Sequence, residues 1–198
     1  MRHSSTPKEI LYSILSIWPQ VSKEFGNKEK YKPLISFLSA KDYYNDYDIP
    51  YPKMKEIESV TGLKSYQLRK QLTEIYDKLF AFDEGFEFEF NKTTMLVHVE
   101  YNKNFGAFNC KPLKYLPRIG ENISLRFLKA KIGIDFFYVQ DIKHSFEENR
   151  HIIDLYLKGG IFNSYWYYRK HKAEELNEIN LRDIYDLYDF QIKEKLGF

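Results

Sequence analysis

The hydrophobic period of this chain changes twice, and that restricts its fold more than any other feature. Up to about residue 80 apolar residues recur at helical spacing, as in Leu68, Leu72, Ile75 and Leu79. After "FDEG", residues 82–85, the period becomes two. "FEFEF" sets Phe86, Phe88 and Phe90 on one side and glutamates on the other. Past Gly159 and Gly160 the helical spacing returns. Helices gathered before and after a block of strands predict an α+β protein rather than alternating βα units.

Start and stop signals divide these blocks. Ser5 or Thr6 can cap a first helix, with Pro7 in its first turn and Ile10, Leu11, Ile14, Leu15 and Trp18 on its apolar face, and Pro19 ends it. Residues 30–46 read as a second helix, closed by "DIPYP". A short helix in "KMKEIESVT" buries Met54, Ile57 and Val60. Gly62 turns the chain, and Ser65 caps a helix reaching about Phe80. "FEFEF", the turn "NKTT" and "MLVHVEY" predict a β-hairpin.

The segment 102–120 has two prolines, two glycines and no period, so a boundary is placed there, giving domains 1–104 and 105–198. The second domain offers three strands, "NISLRFLKAK", "IDFFYVQDIKHS" and "HIIDLYLKG", with "FEEN" as the loop between the last two. A small antiparallel sheet or barrel is expected. A helix follows from the capping Asn163. A last one starts near Asn180, striped by Leu181, Ile184, Tyr185, Tyr188, Ile192 and Leu196.

Composition excludes several classes. A single cysteine, Cys110, allows no disulfide within the chain and no cysteine-based zinc site. No run approaches 18 apolar residues, and the first residues lack a signal-peptide pattern, so no membrane span and a cytoplasmic location are expected. Phosphate-binding loops, nucleophile elbows and metalloprotease motifs are missing, and no enzyme activity and no cofactor are expected. The formal net charge is only +2, but it is unevenly spread. Residues 105–172 carry 12 basic and 6 acidic side chains, and residues 173–198 carry 3 and 7. The basic block can meet phosphate or pair with the protein's own acidic end.

The stretch from Lys55 to Leu72, "KEIESVTGLKSYQLRKQL", resembles the helix-turn-helix of the winged-helix superfamily. Ile57 and Val60 match the inward positions of its first helix, Gly62 the turn, Leu63 the plug between helices, and Leu68 and Leu72 the buried positions of its second helix. Glu58 departs from the pattern, which prefers a small residue there. Taken with the following hairpin as a wing, the resemblance covers about residues 53–101. It implies duplex-DNA binding as a transcription regulator or a replication or mobile-element factor. Lys64, Ser65, Tyr66, Gln67, Arg69 and Lys70 would contact groove and phosphates, and Lys92 a flanking phosphate. Gln71 is also expected on the exposed side. A homodimer through the last helix would suit paired half-sites.

Other groups stand beside this one. His144 and His151 would face each other, as would Asp141 and Asp154, if the hairpin were symmetric about Glu147 and Glu148. Two histidines make only half a zinc site. His98 reads as structural. The block "KPLKYLPRIGENISLRFLKAK", six Lys or Arg against Glu121, suits either a nucleic-acid surface or a solvated sheet face. The alternative to DNA binding is a protein-docking scaffold that uses the same fold and an aromatic surface.

Overall fold

A computed structural model describes residues 5–81 and 86–197 of the chain. The "FDEG" break at which the period changes lies outside the described residues. The protein is mixed α+β. It divides into two compact units. One holds the residues up to Thr93 with Ser145–His151, the other Thr94–His144 with the residues from Ile152 on. The boundary expected near residue 104 falls instead inside a β-hairpin, whose paired strands cannot be parted at that point.

The first unit is built on α1 (Pro7–Leu15), α2 (Trp18–Phe25), α3 (Lys32–Ser39), α4 (Met54–Thr61) and α5 (Ser65–Leu79). Thr6 caps α1 through a reciprocal box. Its hydroxyl accepts from Glu9 N–H, and its own N–H donates to the Glu9 carboxylate at 2.7 Å. Pro19 does not end a helix but lies in the first turn of α2, where a missing N–H costs nothing. The second predicted helix stops at Ser39. Beyond it the Asp42 carboxylate accepts from the N–H groups of Tyr44 and Asn45 and bends the chain into a turn. One core unites the helices: Leu11, Ile14, Leu15, Val21, Phe25, Leu34, Leu38, Ile57, Leu68, Leu72 and Ile75 are all buried.

Residues 86–90 keep their alternation but are not in a strand. Phe86 and Phe88 meet edge to face at 5.0 Å and Phe88 stacks on Phe90 at 6.2 Å. A side chain replaces the missing ladder here. The buried Gln20 amide accepts from Glu89 N–H at 2.9 Å and donates to the carbonyls of Glu89 and Glu148. The expected wing hairpin over 86–101 is therefore not formed.

The strands are β1 (Lys92–Tyr101), β2 (Asn104–Cys110), β3 (Asn122–Ser124), β4 (Phe136–Glu147) and β5 (Arg150–Gly159), in the order β2-β1-β5-β4-β3. The sheet is open, not a barrel, and it is mixed. β1 pairs antiparallel with β2, and β3 with β4. The central β1 and β5 run the same way: Lys92 N–H donates to Asn149 O at one end, and Tyr101 lies against Gly159 at the other. Only the first residues of "NISLRFLKAK" are strand. The rest is a 3-10 turn at Arg126–Leu128 and the one-turn helix α6 (Lys129–Ile132), which buries Leu128 and Ile132 against the sheet.

Glu148 and Asn149 make the β4–β5 turn, with Glu148 at φ 56°. That centre lies one residue past the expected one. His151 accordingly stacks on Phe146 (4.7 Å, 9°) rather than facing His144. Asp154 accepts from His98 at 2.9 Å.

After the sheet come α7 (Ser164–Glu175), α8 (Leu181–Asp186) and α9 (Asp189–Lys195). Asn163 caps α7 as expected, accepting from Trp166 N–H. The predicted last helix is two, broken at the extended residues Leu187 and Tyr188. The break turns Asp189 toward Lys158 (2.8 Å) and Lys170 (3.1 Å). Arg169 pairs likewise with Glu178 at 2.6 Å. Part of the basic block is thus answered by the chain's own acidic end. No described helix is long and apolar enough to cross a membrane.

Candidate nucleic-acid interface

The side chains proposed to face DNA stand at the end of the turn after α4, on α5 and, for Lys92, at the start of β1, all in the first unit. α4 ends because Gly62 takes a left-handed backbone, φ 72° and ψ 5°, which costs an L-residue about 1–2 kcal/mol but glycine almost nothing. Its N–H donates to Glu58 O at 3.0 Å. Thr61 closes the same turn, its hydroxyl donating to Ile57 O and accepting from Leu63 N–H. Lys64 then returns to extended geometry and α5 starts at Ser65.

Burial sorts the helix faces. Leu68, Leu72, Ile75 and Leu79 point inward with Ile57 of α4, as their spacing predicts, and Leu63 packs on the same core. Two assignments differ. Val60 is 67% exposed rather than buried, because the eight-residue α4 offers the core only Ile57 in full. Gln71 is buried, not exposed. Its amide donates to Lys30 O at 2.9 Å, which ties α5 to the residues before α3.

Lys64, Ser65, Tyr66, Arg69 and Lys70 are exposed at the front of α5, with Tyr66 at 64%. Among the described residues, Lys64, Arg69 and Lys70 make no ion pair. Glu74, one helical turn beyond Lys70, is already engaged. Glu74 accepts from Lys30 at 2.5 Å, and that bond first of all holds its carboxyl below the ordinary glutamate value. The front of α5 is therefore a cationic surface on which, among the described residues, Lys64, Arg69 and Lys70 make no ion pair, although Glu74 feels the charge of Lys70.

Ser65 is the first helical residue and not the cap. That place belongs to Lys64, whose N–H donates to Gln67 Oε1 at 2.9 Å. Gln67 is thereby fixed as half of a capping arrangement. Reading adenine with both amide atoms would require breaking it. Lys92 is exposed at the start of β1, in the same unit, but not on a hairpin tip. Sequence reasoning missed Gln20 and Gln71, two buried glutamines that anchor backbone; a lone glutamine in an amphipathic helix carries no pattern that marks it.

Comparison of the chain with protein-family models, with curated proteins and with solved structures finds no match.

Proposed function

We propose that this protein binds duplex DNA through α4, its turn and α5, used as a helix-turn-helix in a transcription regulator or a replication or mobile-element factor. The observation that carries the reading is the cationic front of α5: Lys64, Arg69 and Lys70 are exposed and free of ion pairs among the described residues, around exposed Ser65 and Tyr66. A helix that only packs gains nothing by placing cations at its positive end, where the macrodipole opposes them. A helix entered front-first into a groove gains charge-assisted contacts there. In this reading Arg69 and Lys70 reach bases or phosphates, Lys64 and Ser65 a phosphate, and Tyr66 the sugar edge. Gln67 holds the helix start, and Lys92 takes a flanking phosphate.

The test is fluorescence anisotropy with a pool of random duplexes of about 30 base pairs across a salt series. Binding should weaken linearly in log salt. The triple variant Lys64→Ala, Arg69→Ala, Lys70→Ala should flatten the slope by about 0.9 for each phosphate it no longer neutralises. On a selected site, Arg69→Ala should cost about 1–3 kcal/mol and relax specificity at one base. Absence of binding at low salt, or a triple variant with the parent's slope, would count against the reading.

One observation favours protein docking instead. Val60 and Tyr66 are both exposed on the same module, an apolar pair that a protein partner would cover. Under that reading Tyr66→Ser, and not the triple cation variant, would abolish binding of the partner.

A further inference from the structure

The sheet of the second unit has one covered and one partly open face. Met95, Val97, Val99, Leu155 and Leu157 point to the covered side, where Leu128 and Ile132 pack on them. On the other side, buried Tyr138 bonds Tyr167 of α7 at 2.8 Å, and Lys158 bonds Asp189 of α9. The C-terminal helices thus close one end of this face. The rest remains a cleft of about 530 Å³, within the range typical of small-molecule sites, lined by His98, Glu100, Phe105, Lys131, Gln140 and Tyr156 among others.

The chemistry of this lining is selective. His98 and Tyr156 stack face to face at 4.5 Å and 9°, so the pair offers the cleft its ring edges and outer faces. Phe105, 65% exposed and directly opposite Glu100 across the β1–β2 pair, adds a second aromatic surface. The His98 Nε2–H donates to the Asp154 carboxylate at 2.9 Å, which fixes the orientation of the ring. Lys131 comes from α6 on the covered side and borders the cleft at the edge strand β2, where Gly106 leaves room for it: a Cβ there would sit 3.4 Å from Lys131 Cε. Among the described residues, Glu100, Lys131 and Gln140 have no side-chain hydrogen-bond partner. Glu100 and Gln140 are half-buried and Lys131 is exposed, so their polar atoms are open to a ligand that enters beside the aromatic rings.

We infer that this cleft binds a neutral planar heteroaromatic ligand with N–H donors beside a carbonyl, the pattern of a guanine base. Glu100 accepts from two adjacent N–H groups, Gln140 or Lys131 donates to the carbonyl, and the ring lies against Phe105 and the His98–Tyr156 pair. Adenine would set a ring lone pair against the Glu100 carboxylate. A guanidinium or amine cation would meet Lys131, and a polyphosphate would meet Glu100 with a single cation to offset it. The inference is independent of the DNA reading, since every residue it uses lies in the second unit.

The experiment is a titration of the full chain with guanosine and with adenosine, followed by calorimetry and by the NMR signals of the His98 and Tyr156 rings. Guanosine should bind saturably and move both rings, and adenosine should bind about tenfold or more weakly. Glu100→Gln should lower guanosine affinity by about tenfold or more, with an unchanged thermal unfolding curve confirming that the variant is folded. A short guanine-containing single strand separates the sources of the base. Tighter binding than guanosine that also moves the His98 and Tyr156 rings assigns the cleft to a strand, and weaker binding at those rings assigns it to a free nucleoside. Guanosine that leaves both rings unmoved at millimolar concentration, adenosine that binds as well, or a folded Glu100→Gln chain with full affinity would each overturn the inference.

Discussion

Replacing Gly62 by alanine tests the turn on which the proposed DNA contacts depend. A Cβ at this position would meet nothing within 4 Å, so the substitution introduces no clash. What remains is backbone strain: φ is 72°, and an L-residue in that region costs about 1–2 kcal/mol. Alanine's stiffer unfolded chain returns part of this, about 0.4–1 kcal/mol. The net expectation is a destabilisation of about 1 kcal/mol. Because Leu68, Leu72 and Ile75 of α5 share the first unit's core, it should appear in native-state hydrogen exchange as about fivefold lower protection of their slowest amides. Gly62→Asn should cost clearly less, because asparagine tolerates the left-handed region. If Gly62→Ala exchanges as slowly as the parent, or if asparagine is as harmful as alanine, then strain at this residue does not set the turn.

Three further outcomes follow from the geometry. Gln67→Ala should destabilise the start of α5 by about 0.3–1.5 kcal/mol in urea unfolding, and it should change DNA specificity less than Arg69→Ala does, since the Gln67 oxygen is committed to Lys64 N–H. Burial works to raise the Asp189 carboxyl's pKa, but Lys158 and Lys170 outweigh it and hold the group below the ordinary aspartate value. Its contribution to stability is therefore complete above about pH 5 and is lost as pH falls through the depressed value. Thermal unfolding of Asp189→Asn should differ from the parent most at neutral pH, and the gap should close in acid. Leu181 and Tyr185 are 64% and 82% exposed on α8, so the proposed homodimer can be tested without disturbing Ile192 or Asp189. If it forms through that helix, Leu181→Ser with Tyr185→Ser should yield a monomer in sedimentation; a parent chain already monomeric at high concentration would dismiss it.

Residue spacing and local backbone chemistry are enough to specify the helical core and several of the turns. Leu68, Leu72 and Ile75 are buried because helical spacing leaves no other face for them. Gly62 and Asn163 act where local backbone chemistry demands a left-handed residue or a capping oxygen. The alternation of Phe86, Phe88 and Phe90 is legible as well, for it needs only an extended chain. At the candidate interface the exposed cations of α5 can be read from spacing, and the fixed role of Gln67 cannot.

Which element pairs with which is a property of the folded chain as a whole. A period of two does not name the neighbouring strand. Here Gln20 supplies the hydrogen bonds of residue 89, while β1 finds β5 as a parallel neighbour across more than forty intervening residues. The stripe from Leu181 to Leu196 suits one continuous helix, but Tyr188 N–H donates to Gln191 Oε1 to start a second one, and Lys158 and Lys170 hold Asp189 in its first turn. His98, isolated in sequence, becomes part of a cleft only because parallel pairing sets Asp154 and Tyr156 beside it. Local propensities act over a few residues, whereas these partners are chosen by burial and charge over the whole chain.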